Sequence, residues 1–182
     1  MCIKRTACPN GLHMMIESIH TKPRLVFGCG NTLFGDDGFG PAVIGQLASR
    51  HYLPEDTAFV DAGTSVRDIL FDILLSETRP KRIVIVDASL QNDKQPGELS
   101  EIDIESMDPR KTADFSLHQF PTINMLKELQ LHTDVDVRVL VVQPEHIPSE
   151  IEPGLTGSAS RAVEPMCDYI MDILGEPVSH HR

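Results

Sequence analysis

The chain has 182 residues, 41% hydrophobic and 24% charged, a length and balance that suit one soluble globular domain with a full core. Its formal net charge of −11 argues against nucleic acid as a partner, because phosphate is gripped by clustered Lys and Arg. No apolar run approaches the roughly 20 residues that a membrane helix needs, so no membrane association is expected.

Residues 1–22 read as an N-terminal extension that carries Lys4 and Arg5 but no continuous apolar segment of a secretory signal. Cys2, Cys8, Cys29 and Cys167 keep no CxxC spacing, a pattern of reduced thiols that predicts a cytoplasmic protein. Cys2 and Cys8 with His13 and His20 match no standard zinc pattern, and the extension reads as polar and frayed. From there strand and helix signals alternate, the mark of an α/β protein with a mostly parallel sheet. Residues 25–28 predict a first strand and 40–51 a first helix, with Ala42, Val43, Leu47 and Ala48 on its apolar face. A short strand over 57–61 leads to a helix over about 66–77, with Ile69, Leu70, Ile73 and Leu74 at helical spacing. Residues 82–87, apolar on both faces, form the clearest central strand. A polar loop over 91–97 precedes an alternating edge strand over 98–104, and 107–116 read as loop. A third helix is predicted over 118–131, a buried strand over 136–142, and a last helix over 160–174 with Ala162, Val163, Met166, Ile170 and Ile173 inward. The domain organisation is therefore an extension over 1–22, a single domain over 23–175 and a tail over 176–182.

The chemistry gathers at strand ends. Leu25-Val26-Phe27 runs into Gly28-Cys29-Gly30-Asn31 and then into Gly35-Asp36-Asp37-Gly38. In open α/β sheets ligands bind in the crevice at the carboxyl ends of the strands, so acids placed there point to a site. A dinucleotide fingerprint fails, because position 33 is Leu where a third glycine is required. Two carboxylates also oppose the phosphate that such a turn would cradle. Asp61, Asp87 and Gln143-Pro144-Glu145 end three further strands. Helix N-capping accounts for Asp87 and for part of Asp61. It accounts less well for adjacent Asp36 and Asp37, since only one carboxylate takes the cap and the other stays at like-charge distance. His118, where a helix begins, is placed to complete a carboxylate–carboxylate–imidazole set with Asp37 and Asp61. Such a mixed N/O set suits nickel or zinc. His51, His132 and His146 read as surface residues, and Cys29 as a core residue under the strand end.

Taken together, the segment from Gly28-x-Gly30-Asn31-x-Leu33 through Asp36-Asp37-Gly38-x-Gly40 resembles the opening motif of the hydrogenase maturation endopeptidases. The resemblance continues through Asp61-Ala62-Gly63-Thr64, Asp87-Ala88, Pro96-Gly97, Ser116-x-His118-Gln119, Gln143-Pro144-Glu145 and Glu152-x-Gly154-Leu155-Thr156. It implies a three-layer α/β/α fold with a five-stranded sheet in which one strand, here 98–104, is antiparallel. It also implies removal of a C-terminal peptide from the large-subunit precursor of a nickel–iron hydrogenase after nickel insertion. The Asp-Asp-Gly form resembles the branch that serves coenzyme F420-reducing hydrogenases. Carried over by motif, the metal-contacting residues are Asp37, Asp61 and His118, and the metal is nickel supplied by the substrate, with no organic cofactor. Many relatives have Glu at the position of Asp37, which keeps the charge but shortens the reach. Either Asp37 or Asp36 is expected to serve as general base, in chemistry that is aspartic-type or metal-assisted. The rival readings are a nickel-checking binding module or maturation chaperone that does not cut, and a nucleotide-binding α/β protein.

Overall fold

The computed structural model describes residues 19–104 and 120–178, with the backbone alone for 120–124. Five strands form one sheet: β1 (Arg24–Cys29), β2 (Thr57–Gly63), β3 (Arg82–Ala88), β4 (Leu99–Ile102) and β5 (Asp136–Val142). Their order is β2-β1-β3-β5-β4. Only β4 runs antiparallel, against β5. Among the described residues, the helices α1 (Phe39–Ala48), α2 (Val66–Leu75) and α3 (Phe120–His132) join successive strands, and α4 (Gly157–Gly175) follows β5. This is the expected three-layer α/β/α architecture with its antiparallel edge strand.

Alternation along the strands divides the core between two faces. Val26, Val84, Val86, Leu140 and Val142 meet Val43, Ile44 and Leu47 of α1 and Ala162, Met166 and Ile170 of α4. On the other face, Leu25, Phe27, Ile83, Ile85 and Val137 meet Leu70 and Ile73 of α2 with Leu126 and Leu129 of α3. Ile19, read from sequence as part of the extension, is buried in this second cluster. The buried face of α1 is Val43-Ile44-Leu47, whereas Ala48 is exposed and Ala42 half-buried. Two methyl groups cannot compete with Ile44 for the contact with β1, so the larger side chain sets the helix rotation.

At the amino edge of the sheet, charge is paired inside the protein. The fully buried Arg82 guanidinium contacts Asp136 at 2.7 Å and donates to the carbonyls of Ile173, Glu176 (3.1 Å) and Pro177 (2.9 Å). Arg24 donates to Leu174 O from its neighbouring strand. The two arginines thus satisfy the last carbonyls of α4, where the helix dipole favours a cation. Residues 176 and 177, read from sequence as the start of a tail, are held by these bonds.

α4 begins three residues earlier than its apolar periodicity indicates. Thr156 caps it, its side chain accepting from Ala159 N at 3.3 Å.

Candidate active site

Strand order places the site. β2 lies on one side of β1 and β3 on the other, with α1 on one face of the sheet and α2 on the opposite face, so the strand order reverses at β1 and opens a crevice at its carboxyl end. α1 closes the back of this crevice by lying directly on the strand ends. A Cβ on Gly40 would stand 2.3 Å from Cys29 O and 2.5 Å from Val86 O, so only glycine allows the approach. Gly30, at φ +113°, brings the turn equally close to the Asp37 backbone, where a Cβ would meet Asp37 O at 1.9 Å.

The adjacent acids Asp36 and Asp37 have different surroundings. Asp36 is fully buried. Its carboxylate accepts from the backbone N–H groups of Glu145 (2.8 Å), His146 (3.1 Å) and Thr156 (2.7 Å) and from Thr156 Oγ (2.9 Å). It therefore clamps the loop after β1 to the loop after β5. Backbone bonds continue the seam: Gly35 N to Glu152 O (2.9 Å), Glu152 N to Leu33 O (2.9 Å) and Asp36 N to His146 O (3.1 Å). Asp37 is half-buried, and its Oδ2 accepts from Asn31 N at 2.7 Å. Neither acid caps α1, whose N-cap is Gly38. The capping conflict read from sequence is resolved by sending the two side chains to different loops.

Asp61 is exposed at the end of β2 and accepts from Gly63 N at 3.1 Å, which makes a local turn instead of a cap on α2. Asp87 corrects the sequence reading more plainly. No helix follows β3 for it to cap, since the chain passes to β4, and the side chain is buried with Oδ1 accepting from Ala88 N at 2.8 Å. Gly28 of β1 pairs with Asp61 on one side and with Val86 on the other, so Asp61 and Asp87 flank the end of β1. Two strand spacings separate them, roughly 10 Å.

The Cys29 thiol reports their convergence. It is buried, and its pKa is pushed well above the ordinary thiol value, first by burial and then by the charges of Asp87, Asp61 and Asp37. Asp61 and Asp87, on the two strands beside β1, and Asp37, in the turn after it, line the crevice around this thiol. A thiol held protonated there is a core group and a poor metal ligand. His118 lies outside the described residues. α3 ends beside the start of β5 and is about 20 Å long, so its Phe120 end points toward the same carboxyl edge. Among the described residues, no three His, Cys, Asp or Glu side chains are grouped to hold a metal ion. Nor is any described helix long and apolar enough to cross a membrane.

Residues 41–173 match the HycI family, the hydrogenase maturation proteases. The chain belongs to that family. A Methanocaldococcus jannaschii protein named as a hydrogenase maturation protease is 34% identical over 151 residues, covering 82% of this chain and 95% of the relative. The coenzyme F420 hydrogenase subunit delta of Methanothermobacter thermautotrophicus is 33% identical over 155 residues, 83% of this chain and 94% of that one. Among solved structures, the hydrogenase maturating endopeptidase HybD from E. coli is similar at a TM-score of 0.67 and 26% identity. That likeness covers 83% of this chain and 91% of HybD. As a hydrogenase maturation protease the chain is a peptidase of hydrogenase processing. Two features of its site were not drawn from sequence: Asp87 as part of the acidic floor, and the clamp that Asp36 makes with Glu145, His146 and Thr156. The clamp pairs residues more than 100 positions apart, and only the Gln143-Pro144-Glu145 and Thr156 motifs hinted at the second loop.

Proposed function

We propose that this protease removes a C-terminal peptide from the large-subunit precursor of a coenzyme F420-reducing nickel–iron hydrogenase, after nickel has entered the precursor. The observation that carries the reading is the placement of Asp61 and Asp87 on the strands either side of the end of β1, with Asp37 in the turn that follows it, on the fold of the maturation proteases. The similarity to a coenzyme F420 hydrogenase subunit supports the choice of substrate. In this reading Asp37, Asp61 and His118 meet the nickel that the precursor brings, and that contact sets the scissile peptide over the crevice. Asp37, oriented by the Asn31 N–H, takes the proton of the attacking water as its oxygen bonds to the scissile carbonyl carbon. The proton then passes to the departing amine as the C–N bond breaks. The reading gives the base to Asp37 over Asp36, whose carboxylate is buried and accepts from Glu145 N, His146 N, Thr156 N and Thr156 Oγ.

The test is intact mass spectrometry of large-subunit precursors mixed with the purified protein, each prepared with and without nickel. Loss of a C-terminal peptide from the nickel-loaded form alone is the expected result. Cleavage irrespective of nickel would remove the metal-gated step. Nickel-dependent association without cleavage would assign a checking module instead.

A further inference from the structure

We propose that the two clamped loops, 31–38 and 143–156, form the seat for the precursor, and that they receive a segment carrying both basic and apolar side chains. The proposal deepens the endopeptidase reading above and rests on it. Three large apolar side chains are exposed on these loops: Leu33 (44%), Ile147 (38%) and Ile151 (69%). The loops cannot fold them away. Leu33 is held at its N–H by Asn31 Oδ1 (3.0 Å) and at its carbonyl by Glu152 N, Ile151 directly precedes Glu152, which bonds Leu33 and Gly35, and Ile147 follows the His146 backbone that bonds Asp36 in both directions. An apolar surface on rigid backbone is preorganised for a partner, because little ordering entropy remains to be lost on binding.

Charge selects the occupant. Glu145, Glu150 and Glu152 are exposed on the same loop, and neither loop contains a Lys or Arg. Glu145 accepts from Ser158 Oγ at 2.5 Å, and Glu152 lies 3.6 Å from the His146 imidazole. Acids around apolar side chains complement a segment in which Lys or Arg flanks apolar residues, and they repel an acidic one. The seam leads through Asp36 directly to Asp37, so a segment seated on it lies beside the proposed base.

The experiment is steady-state processing of a nickel-loaded precursor with its C-terminal extension intact, by the wild type and three variants. Leu33→Ser combined with Ile151→Ser should raise KM roughly tenfold while kcat stays within about twofold. Glu150→Gln combined with Glu152→Gln should flatten the fall of kcat/KM with added salt. Leu131→Ser, equally exposed but at the opposite end of α3, should change neither. All the substituted side chains stand in solvent, so melting temperatures should match the wild type and separate lost binding from lost folding. An active wild type whose KM and salt response both survive the loop variants would overturn this proposal alone. A wild type that cuts no precursor would overturn the endopeptidase reading together with it.

Discussion

The two edges of this sheet handle charge in opposite ways. At the amino edge, Arg82 and Asp136 are buried against each other, and the guanidinium also donates to the carbonyls of Ile173 in α4 and of Glu176 and Pro177 just beyond it. At the carboxyl edge, Asp61 and Asp87 stand on the strands either side of β1 and Asp37 in the turn that follows it, three acids with, among the described residues, no buried cation between them. The first arrangement ties sheet to helix. The second concentrates negative potential where the strand order opens a crevice. Between them Asp36 shows that position in the acidic turn does not decide role. It belongs to the carboxyl edge by sequence but behaves like the amino edge, with every bond spent on holding loops together.

The contrast predicts effects that can be separated. Asp37→Asn should bring the largest loss of activity, lowering precursor kcat/KM by about 10²–10⁴-fold with little change in the urea midpoint. A similar loss from a side chain at the amino edge, at full folding, would break the comparison. Arg82→Ala should do the reverse. It strands a buried Asp136 carboxylate and should cost about 3–5 kcal/mol in urea unfolding, with the activity of the folded fraction preserved. Asp36→Asn keeps the shape but sets an NH₂ against N–H donors. A loss of about 1–3 kcal/mol is expected, with activity per folded molecule falling far less than in Asp37→Asn. Equal activity losses in the two variants would return Asp36 to the chemistry.

The smallest effects concern the thiols. Burial raises Cys167 to about 11 from 9.0, and burial followed by the charge of Asp87 pushes Cys29 well above the ordinary thiol value. Both should resist iodoacetamide at pH 8 until the protein unfolds, as peptide mapping will show. Since the native Cys167 pKa lies above the unfolded one, its contribution to stability is complete below about pH 9. It should decline as pH rises toward 11, lowering the melting temperature slightly over that window. Asp87→Asn should make Cys29 easier to alkylate, and no change in its rate would remove Asp87 from the acidic floor.

Much of the architecture was legible in local pattern. Double-sided apolar runs such as Ile83–Val86 and helical spacing such as Leu70–Ile73 are dictated by side-chain periodicity, and both elements stand where that periodicity places them. Helix limits were less legible: α4 starts at Gly157 because the Thr156 hydroxyl serves both its cap and the Asp36 clamp. The Asp87 cap failed because capping presumes a helix next in the chain, and the next element is β4. The linear order of residues, with its glycine-flanked acids and alternating elements, determined a parallel sheet with acids at its strand ends. Which acid faces the crevice and which is buried depended on contacts between loops more than 100 residues apart. A carboxylate's role follows from the donors around it, and those donors are assembled only when the strands take their order in the sheet.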